Sequence, residues 1–232
     1  MAYILGLDPS LAKAGYVVLD TDAPDSEVVE RGLFKTSTAD GILVLRLLKQ
    51  QRQITEIIQK YDIKFVSMEA PYYGGWTAEK LFALNQFIHK AFLDLGNYVV
   101  AFPPQQLKKL VFPKEKVTNI HKPEMIDKAK TALGLQGKVL SEDVADAYWA
   151  GISGKKYYKR YIVEETTDED LNDYEISVFS GKHTYTRGAK KGVTDYTGII
   201  YRENELFWDF EKIRRSTLDG SKKEDSTRKE KN

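Results

Sequence analysis

The apolar stretch YILGLDPS, from Tyr3 to Ser10, decides how the rest of the sequence is interpreted. Its apolar character over Tyr3–Asp8 predicts a short buried strand, and Pro9 closes it. An ionised carboxylate at the end of such a strand is costly unless it is paired or bound to a metal ion. Asp8 is therefore the first candidate functional residue, although an aspartate there is also a common turn former or helix cap.

Strand and helix patterns alternate beyond this stretch. Further strands are predicted at Tyr16–Leu19, Val28–Lys35, Ile63–Met68 and Tyr98–Phe102. Helices are predicted at Ala39–Tyr61, Thr77–Leu95, Gln105–Val111, Pro123–Leu133 and Ser141–Ile152. In the first helix, Ile42, Leu45, Leu48 and Ile54 are assigned to the apolar face, and Gln50 to the polar face. Three strands in hairpin succession, followed by alternating helices and strands, predict an α/β domain over residues 1–154 with a mixed five-stranded sheet.

The sequence changes character after residue 154. Short strands are predicted at Arg160–Glu165, Tyr174–Phe179, Thr184–Arg187, Tyr196–Arg202 and Glu205–Phe210. These strands predict a small β-rich appendage over residues 155–211. Residues 212–232 are charged and poor in apolar side chains, which predicts a disordered tail.

Composition excludes several functional classes. The chain has 35 Lys and Arg against 34 Asp and Glu, so any basic surface for nucleic acid must be local. It has no Cys, which excludes disulfides, thiolate metal sites and cysteine nucleophiles and fits a reducing cytoplasm. We expect neither a signal peptide nor a membrane span, because no apolar stretch is long enough.

Three more acidic residues occur where packing alone does not explain them. Glu69 follows the strand Ile63–Met68, and Asp143 and Asp146 share one face of the last predicted helix, beside apolar residues. Each has an ordinary alternative: Glu69 in an exposed loop, and Asp143 as a first-turn charge that favours the helix dipole. Asp146 lies too deep in the helix for that explanation.

Hard divalent cations prefer carboxylate and water oxygens as ligands. Four acids that converge from two strand ends and one helix predict a site for two Mg²⁺ ions, with Mn²⁺ as an alternative. One ion would activate water, and the other would stabilise the leaving oxygen of a phosphodiester.

Three motifs resemble those of a known family. The opening Ile4–Ser10 with Gly15-Tyr16, the strand-terminal Glu69, and Asp143-Val144-Ala145-Asp146-Ala147 resemble, in order and spacing, the RuvC family of Holliday-junction resolvases. The resemblance covers about the first 153 residues. It implies a ribonuclease-H-like fold and a metal-dependent endonuclease that cuts branched DNA such as four-way junctions. It also implies a homodimer, because two symmetric cuts need two active sites.

The resemblance also suggests roles for individual residues. It implies that Asp8, Glu69, Asp143 and Asp146 are the catalytic metal ligands. Lys122 and Lys108 match the family's functional lysines, and Tyr72 matches an aromatic that stacks on a junction base.

Other basic and aromatic residues are candidates for DNA contact. Tyr73 and Trp76 belong to the same aromatic loop as Tyr72, and Lys109 follows Lys108. Beyond the resemblance, basic and aromatic residues alternate at 155–161, which predicts phosphate contact or, equally, a solvated junction between domains. The basic residues singled out there are Lys155, Lys156, Lys159 and Arg160, with Arg187, Lys190 and Lys191 as further additions.

Three other functions stay open. A related nuclease acting on RNA or an RNA–DNA hybrid would use the same acids, since fold does not fix substrate. A non-catalytic protein that binds branched DNA is a second class. An ATP-binding protein of the actin and sugar-kinase type also begins with an apolar strand and Asp, but Pro9–Ala12 lacks the Gly-Thr-rich phosphate-binding residues of that class.

Overall fold

The protein is represented by a computed structural model that describes residues 2–70, 78–179, 182–184, 188, 191–196 and 199–201. The strands are β1 (Tyr3–Asp8), β2 (Lys13–Asp20), β3 (Val28–Lys35), β4 (Phe65–Glu69), β5 (Tyr98–Phe102), β6 (Lys182–Thr184), β7 (Thr194–Tyr196) and β8 (Ile199–Tyr201). The helices are α1 (Leu43–Lys60), α2 (Ala78–Asp94), α3 (Pro104–Val111), α4 (Lys122–Ala132), α5 (Glu142–Tyr161) and α6 (Asp173–Phe179).

The main sheet is mixed, with strand order β3-β2-β1-β4-β5-β8. Strands β1, β2 and β3 pair antiparallel, whereas β4 runs parallel to both β1 and β5. The predicted five-stranded mixed sheet flanked by helices is confirmed, and the short strand β8 extends it beside β5. A second sheet of two strands, β6 and β7, follows α6.

Helix α5 packs on one face of the sheet through small residues. A Cβ atom on Gly6 would overlap the carbonyl oxygen of Ala147 and lie 2.8 Å from the Cα of Gly151. A Cβ on Gly154 would overlap Ser67, whose hydroxyl donates to the carbonyl oxygen of Ala150 at 2.6 Å. The helix backbone therefore lies almost directly on β1 and β4, closer than ordinary side chains allow.

The N-terminal half of α1 differs from the sequence prediction. Its buried residues are Leu47, Gln50, Ile54, Ile57 and Ile58. The predicted apolar positions Leu45 and Leu48 are instead about half exposed, and Ile42 is 71% exposed. Gln50, predicted on the polar face, is fully buried instead. Its Nε2 donates a hydrogen bond to the carbonyl oxygen of Ser10 at 2.6 Å, which offsets the cost of burying the amide.

The predicted strands after residue 154 are partly wrong. Helix α5 continues to Tyr161, so it includes the predicted domain boundary at 154, and Tyr174–Phe179 lies in helix α6. Aromatic packing favours the helices: Tyr157 of α5 lies 5.8 Å from Phe179 of α6, and 6.1 Å from Phe65, between ring centroids. Of the strand predictions, those at 184–187 and 196–202 overlap short strands only in part.

The described residues up to Ile200 belong to one compact unit. The predicted strand Glu205–Phe210 and the predicted disordered tail 212–232 lie outside the described residues. Within the described ranges, no helix combines the length and apolar composition that a membrane span needs.

We predict that Gly6→Ala lowers the free energy of unfolding by about 2–3 kcal/mol, because the new methyl group meets backbone atoms that have no room to move. Gly151→Ala should change it by less than about 1 kcal/mol, because its Cβ would mainly meet side chains of Leu19 and Val17 and alanine favours a helix. Urea denaturation of both variants measures the difference. Equal stability of the two variants would contradict the close backbone packing.

Candidate active site

Two of the predicted acids lie side by side at one edge of the sheet. Strands β1 and β4 are parallel neighbours, with Leu7 opposite Met68, so their last residues Asp8 and Glu69 leave the sheet together. Both side chains are partly buried. Within the described part of the chain, neither carboxylate has a hydrogen-bond or ion-pair partner.

Helix α5 brings the other two acids to the same edge. Gly15 pairs with Asp8 in the sheet, and a Cβ on Gly15 would overlap the carbonyl oxygen of Asp143. The first turn of α5 therefore lies over the end of β1. Ser141 begins the helix as the predicted N-cap, accepting from the Val144 N–H at 3.4 Å. Asp146 follows one turn after Asp143 and is also partly buried.

Burial and mutual repulsion disfavour negative charge on these acids. Burial, then the charges of Asp146 and Asp143, raises the pKa of Asp8 to about 7. Burial, then Asp8 and Asp146, raises the pKa of Glu69 to about 9. The pKa of Asp146 is raised to about 6, mainly by burial. Mutual coulombic effects of this kind require that the carboxylates lie close together.

The two predicted lysines lie beside the acids. The charge of Lys122 opposes the raised pKa of Asp8, Glu69 and Asp146, and Lys108 does so for the latter two. Lys122 starts α4 and forms an ion pair with Glu142, the first residue of α5. Lys108 is partly buried in α3 and donates to the carbonyl oxygen of Ile120 at 3.1 Å. The structure therefore brings together all six residues predicted to be catalytic.

The donor set fits a hard divalent cation. The donor atoms are carboxylate oxygens of four acids whose charges repel one another, and a cation between them would relieve both the burial cost and the repulsion. Among the described residues, however, no three acidic or histidine side chains have donor atoms arranged to hold one ion. The four acids are thus neighbours, but their side chains are not arranged around a single ion.

The basic residues predicted at 155–161 do not form a free cationic surface. Lys155 is 5% exposed, donates to the carbonyl oxygen of Ala23 at 2.5 Å and pairs with Asp25 at 3.1 Å. Its predicted DNA contact does not fit this arrangement, because helix α5 continues and turns Lys155 into the protein. Lys156, Lys159 and Arg160 pair with Glu175, Glu165 and Asp168, respectively.

The remaining predicted DNA contacts are either bonded to the protein itself, exposed, or outside the described residues. Lys109 is partly buried and donates to the carbonyl oxygens of Pro113 at 2.7 Å and Glu115 at 2.6 Å, which ties it to its own loop. Lys191 is exposed. The predicted stacking residues Tyr72, Tyr73 and Trp76 lie outside the described residues, as do Arg187 and Lys190.

Gln50 and Thr36 hold the turn that follows Asp8, and the sequence did not predict this role for either residue. The carbonyl oxygens of Ser10, Leu11 and Ala12, which follow Asp8, accept hydrogen bonds from Gln50 Nε2, Thr36 Oγ1 and Thr36 N. These bonds fix the turn that carries the chain away from Asp8. A sequence signal for Gln50 existed, because it lies three residues after Leu47 and four before Ile54, on the buried face of α1.

The mixed sheet, the acids at the ends of β1 and β4, and the two acids on the helix that crosses them define a ribonuclease-H-like protein. Solved structures share this fold. The Thermus thermophilus RuvC structure matches with a TM-score of 0.57 and 19% identity, covering 68% of this chain and 95% of that one. T. thermophilus RuvC in complex with Holliday junction substrate matches with a TM-score of 0.55 and 18% identity, covering 71% and 98%.

Sequence comparison identifies the family. The model of the family "Crossover junction endodeoxyribonuclease RuvC" matches residues 4–153, so the chain belongs to the RuvC family. The RuvC protein of Prochlorococcus marinus is 24% identical over 156 residues, which are 65% of this chain and 96% of that protein. The RuvC protein of Campylobacter hominis is 28% identical over 148 residues, or 62% and 89%.

We predict that the metal-free protein loses stability as the pH rises from about 5 to about 9. A carboxyl group whose pKa is higher in the folded than in the unfolded protein binds its proton more tightly when folded, so deprotonation favours unfolding. Mg²⁺ should reverse the trend, because it binds the deprotonated acids and its affinity therefore rises with pH.

Chemical denaturation at pH 5, 7 and 9, with and without Mg²⁺, measures this effect. Glu69→Gln serves as the control, because it removes the group with the highest shifted pKa of the cluster and should flatten the metal-free profile above pH 7. A wild-type profile that is flat over this range would contradict the clustering of the acids.

Proposed function

We propose that this protein is a metal-dependent endodeoxyribonuclease that resolves Holliday junctions by hydrolysing phosphodiester bonds. The observation that carries the proposal is the convergence of Asp8, Glu69, Asp143 and Asp146 at one edge of the sheet, with Lys122 and Lys108 beside them. Family membership supports the activity, since the family and the relatives are described as crossover junction endodeoxyribonucleases.

The four acids would hold the metal. When bound, two Mg²⁺ or Mn²⁺ ions would supply an activated water and charge stabilisation for the leaving oxygen. The acids' own part is to present hard oxygen donors in a partly buried place, where charge interactions are stronger than in water. Their mutual repulsion favours the protonated carboxyl groups in the metal-free site. Cation binding and deprotonation of the acids therefore occur together.

Lys122 would act on the phosphate. Its ammonium group lies beside the acids but is held by Glu142, on a side chain that is 66% exposed. An exposed ion pair of this kind is weak, so a phosphate in the site would compete for the lysine. Lys108 is less exposed and donates a hydrogen bond to the backbone at Ile120. This fixed position suits a role in stabilising the negative charges of Glu69 and Asp146.

The four-way junction is the preferred substrate because T. thermophilus RuvC, which shares this fold, has been solved with a Holliday junction. We also propose a homodimer, since symmetric cleavage of a two-fold junction needs two sites. In α2, Leu84, Ile88 and Phe92 are buried in the monomer, whereas Phe82 is 55% exposed. A cytoplasmic location stays a prediction from the sequence.

We predict that Asp146→Asn retains junction binding but lowers the single-turnover cleavage rate in Mg²⁺ by at least about a hundredfold, because the amide is a poor ligand for a hard cation. Asp127→Asn removes the same charge from an exposed position on α4 and should cleave like the wild type. Cleavage of a labelled junction, with binding measured in EDTA, tests both. Wild-type rates for Asp146→Asn would contradict the assignment.

A substrate panel separates the proposal from a nuclease for RNA. We expect the protein to cleave a four-way junction at least about tenfold faster than a linear duplex or an RNA–DNA hybrid of the same sequence. Faster cleavage of the hybrid would favour the alternative nuclease. Tight junction binding without cleavage in Mg²⁺ or Mn²⁺ would favour a non-catalytic junction-binding protein.

A further inference from the structure

Three basic residues on β2 and β3 differ in their pairing from the cations of α5. The lysines and the arginine of α5 all pair with acids of the same chain, as do Lys49, Lys60 and Lys90 elsewhere. For Lys13, Lys35 and Arg31, in contrast, the described residues provide neither an acidic partner nor a hydrogen-bond acceptor. All three are exposed.

The strand register places these cations close to the acids. Asp8 lies opposite Gly15, and Gly15 lies opposite Leu33, so these three residues form one row across β1, β2 and β3. Lys13 and Lys35 lie directly opposite each other in the row two residues further along. Two residues of a strand span about 7 Å, which is the distance from the Asp8 row to the lysine pair.

The same register gives the face of the sheet on which they lie. A Cβ on Gly15 would point into the backbone of α5 at Asp143, and a Cβ on Gly151 of α5 would contact the side chain of Val17. Lys13 lies on the same face of β2 as Gly15 and Val17, because residues two apart in a strand point the same way. On β3, Lys35 lies opposite Lys13 and Arg31 lies opposite Val17. The three cations therefore share the face that carries α5 and the four acids.

The arrangement is unfavourable without a partner. Like charges directly opposite on neighbouring strands repel and destabilise a sheet. Lys13 and Lys35 form such a pair, and Arg31 extends the positive charge along β3. An open groove of about 310 Å³ lies beside two of them, lined by Arg31, Lys35 and the start of α5 around Ser141. A polyanion in this groove would turn the repulsion into attraction.

We propose that Lys13, Lys35 and Arg31 bind backbone phosphates of the DNA strand that runs out of the acidic cluster across β2 and β3. The proposal rests on the function proposed above and extends the DNA surface to a part of the molecule that contains none of the predicted contacts. Residues 31 and 35 are about 14 Å apart along an extended strand. One DNA strand carries a phosphate for every 3.4 Å of its axis, so the three cations would meet different phosphates.

Contacts of this kind position the substrate and do not read its sequence. Loss of these contacts should therefore weaken binding equally for all DNA sequences and should have little effect on the rate of phosphodiester cleavage. They also supply the local basic surface that a chain of net charge +1 needs to bind DNA.

The test compares two double variants of the full-length protein on a four-way junction in EDTA. Lys13→Gln with Lys35→Gln should weaken binding about tenfold or more at low salt and reduce the slope of log K against log salt by about two. Arg52→Gln with Lys64→Gln removes the same charge from exposed positions on α1 and at the end of β4 opposite to Glu69 and should change the slope by less than about 0.5. Equal losses in the two double variants would overturn the inference.

Cleavage kinetics give a second readout. The Lys13/Lys35 double variant should need about ten times more enzyme for half-maximal cleavage, yet reach the wild-type single-turnover rate at saturation. A reduced rate at saturation with unchanged affinity would overturn the inference. A wild-type protein that binds no DNA would instead overturn the proposed function, so the two failures are distinguishable.

Lys35→Glu distinguishes a binding role from a structural one. It should raise the thermal midpoint of the DNA-free protein, because it replaces a repulsive cross-strand pair with an attractive one, and it should weaken junction binding more than Lys35→Gln does. A lower thermal midpoint with unchanged binding would show that the lysine serves the fold and would overturn the inference.

Discussion

The close approach of helix α5 to the sheet is the constraint on which the rest of the structure depends. Gly6, Gly15 and Gly154 lie where any larger side chain would collide with the neighbouring backbone or with Ser67. This contact places the first turn of α5 over the end of β1, and thus Asp143 and Asp146 beside Asp8 and Glu69. Without this contact, the four acids would lie on separate elements and could not bind a metal ion together.

The same packing explains the electrostatics of the molecule. Bringing four acids to a partly buried edge raises the pKa of Asp8 and Glu69 well above the ordinary range for carboxyl groups. The fold tolerates this cost because lysines from α3 and α4 lie beside the acids, while a cation and a DNA phosphate would complete the balance. The unfavourable electrostatic energy is thus concentrated at the edge of the sheet where the four acids lie.

Much of this arrangement follows from local sequence patterns. The strands β1 and β5, the mixed sheet and the four acids were predictable, because strand periodicity and strand-terminal acids are local signals. The spacing of Gln50 from Leu47 and Ile54 indicates the buried face of α1, but its partner Ser10, forty residues away, is not visible in any local pattern. Tyr174–Phe179 suits a strand by composition, but Asn172 and Glu175 cap a helix there, and Phe179 packs on Tyr157 and Tyr161. The burial of Lys155 depends on Ala23 and Asp25, which no local pattern reveals.

The most direct measurement is anomalous diffraction from crystals of the full chain soaked in Mn²⁺. The account predicts anomalous peaks within ligand distance, about 2–2.5 Å, of carboxylate oxygens of Asp8, Glu69, Asp143 and Asp146. These side chains should turn toward one another relative to the metal-free protein. Saturating Mn²⁺ that leaves this edge of the sheet without a peak, or that binds only elsewhere, would contradict it.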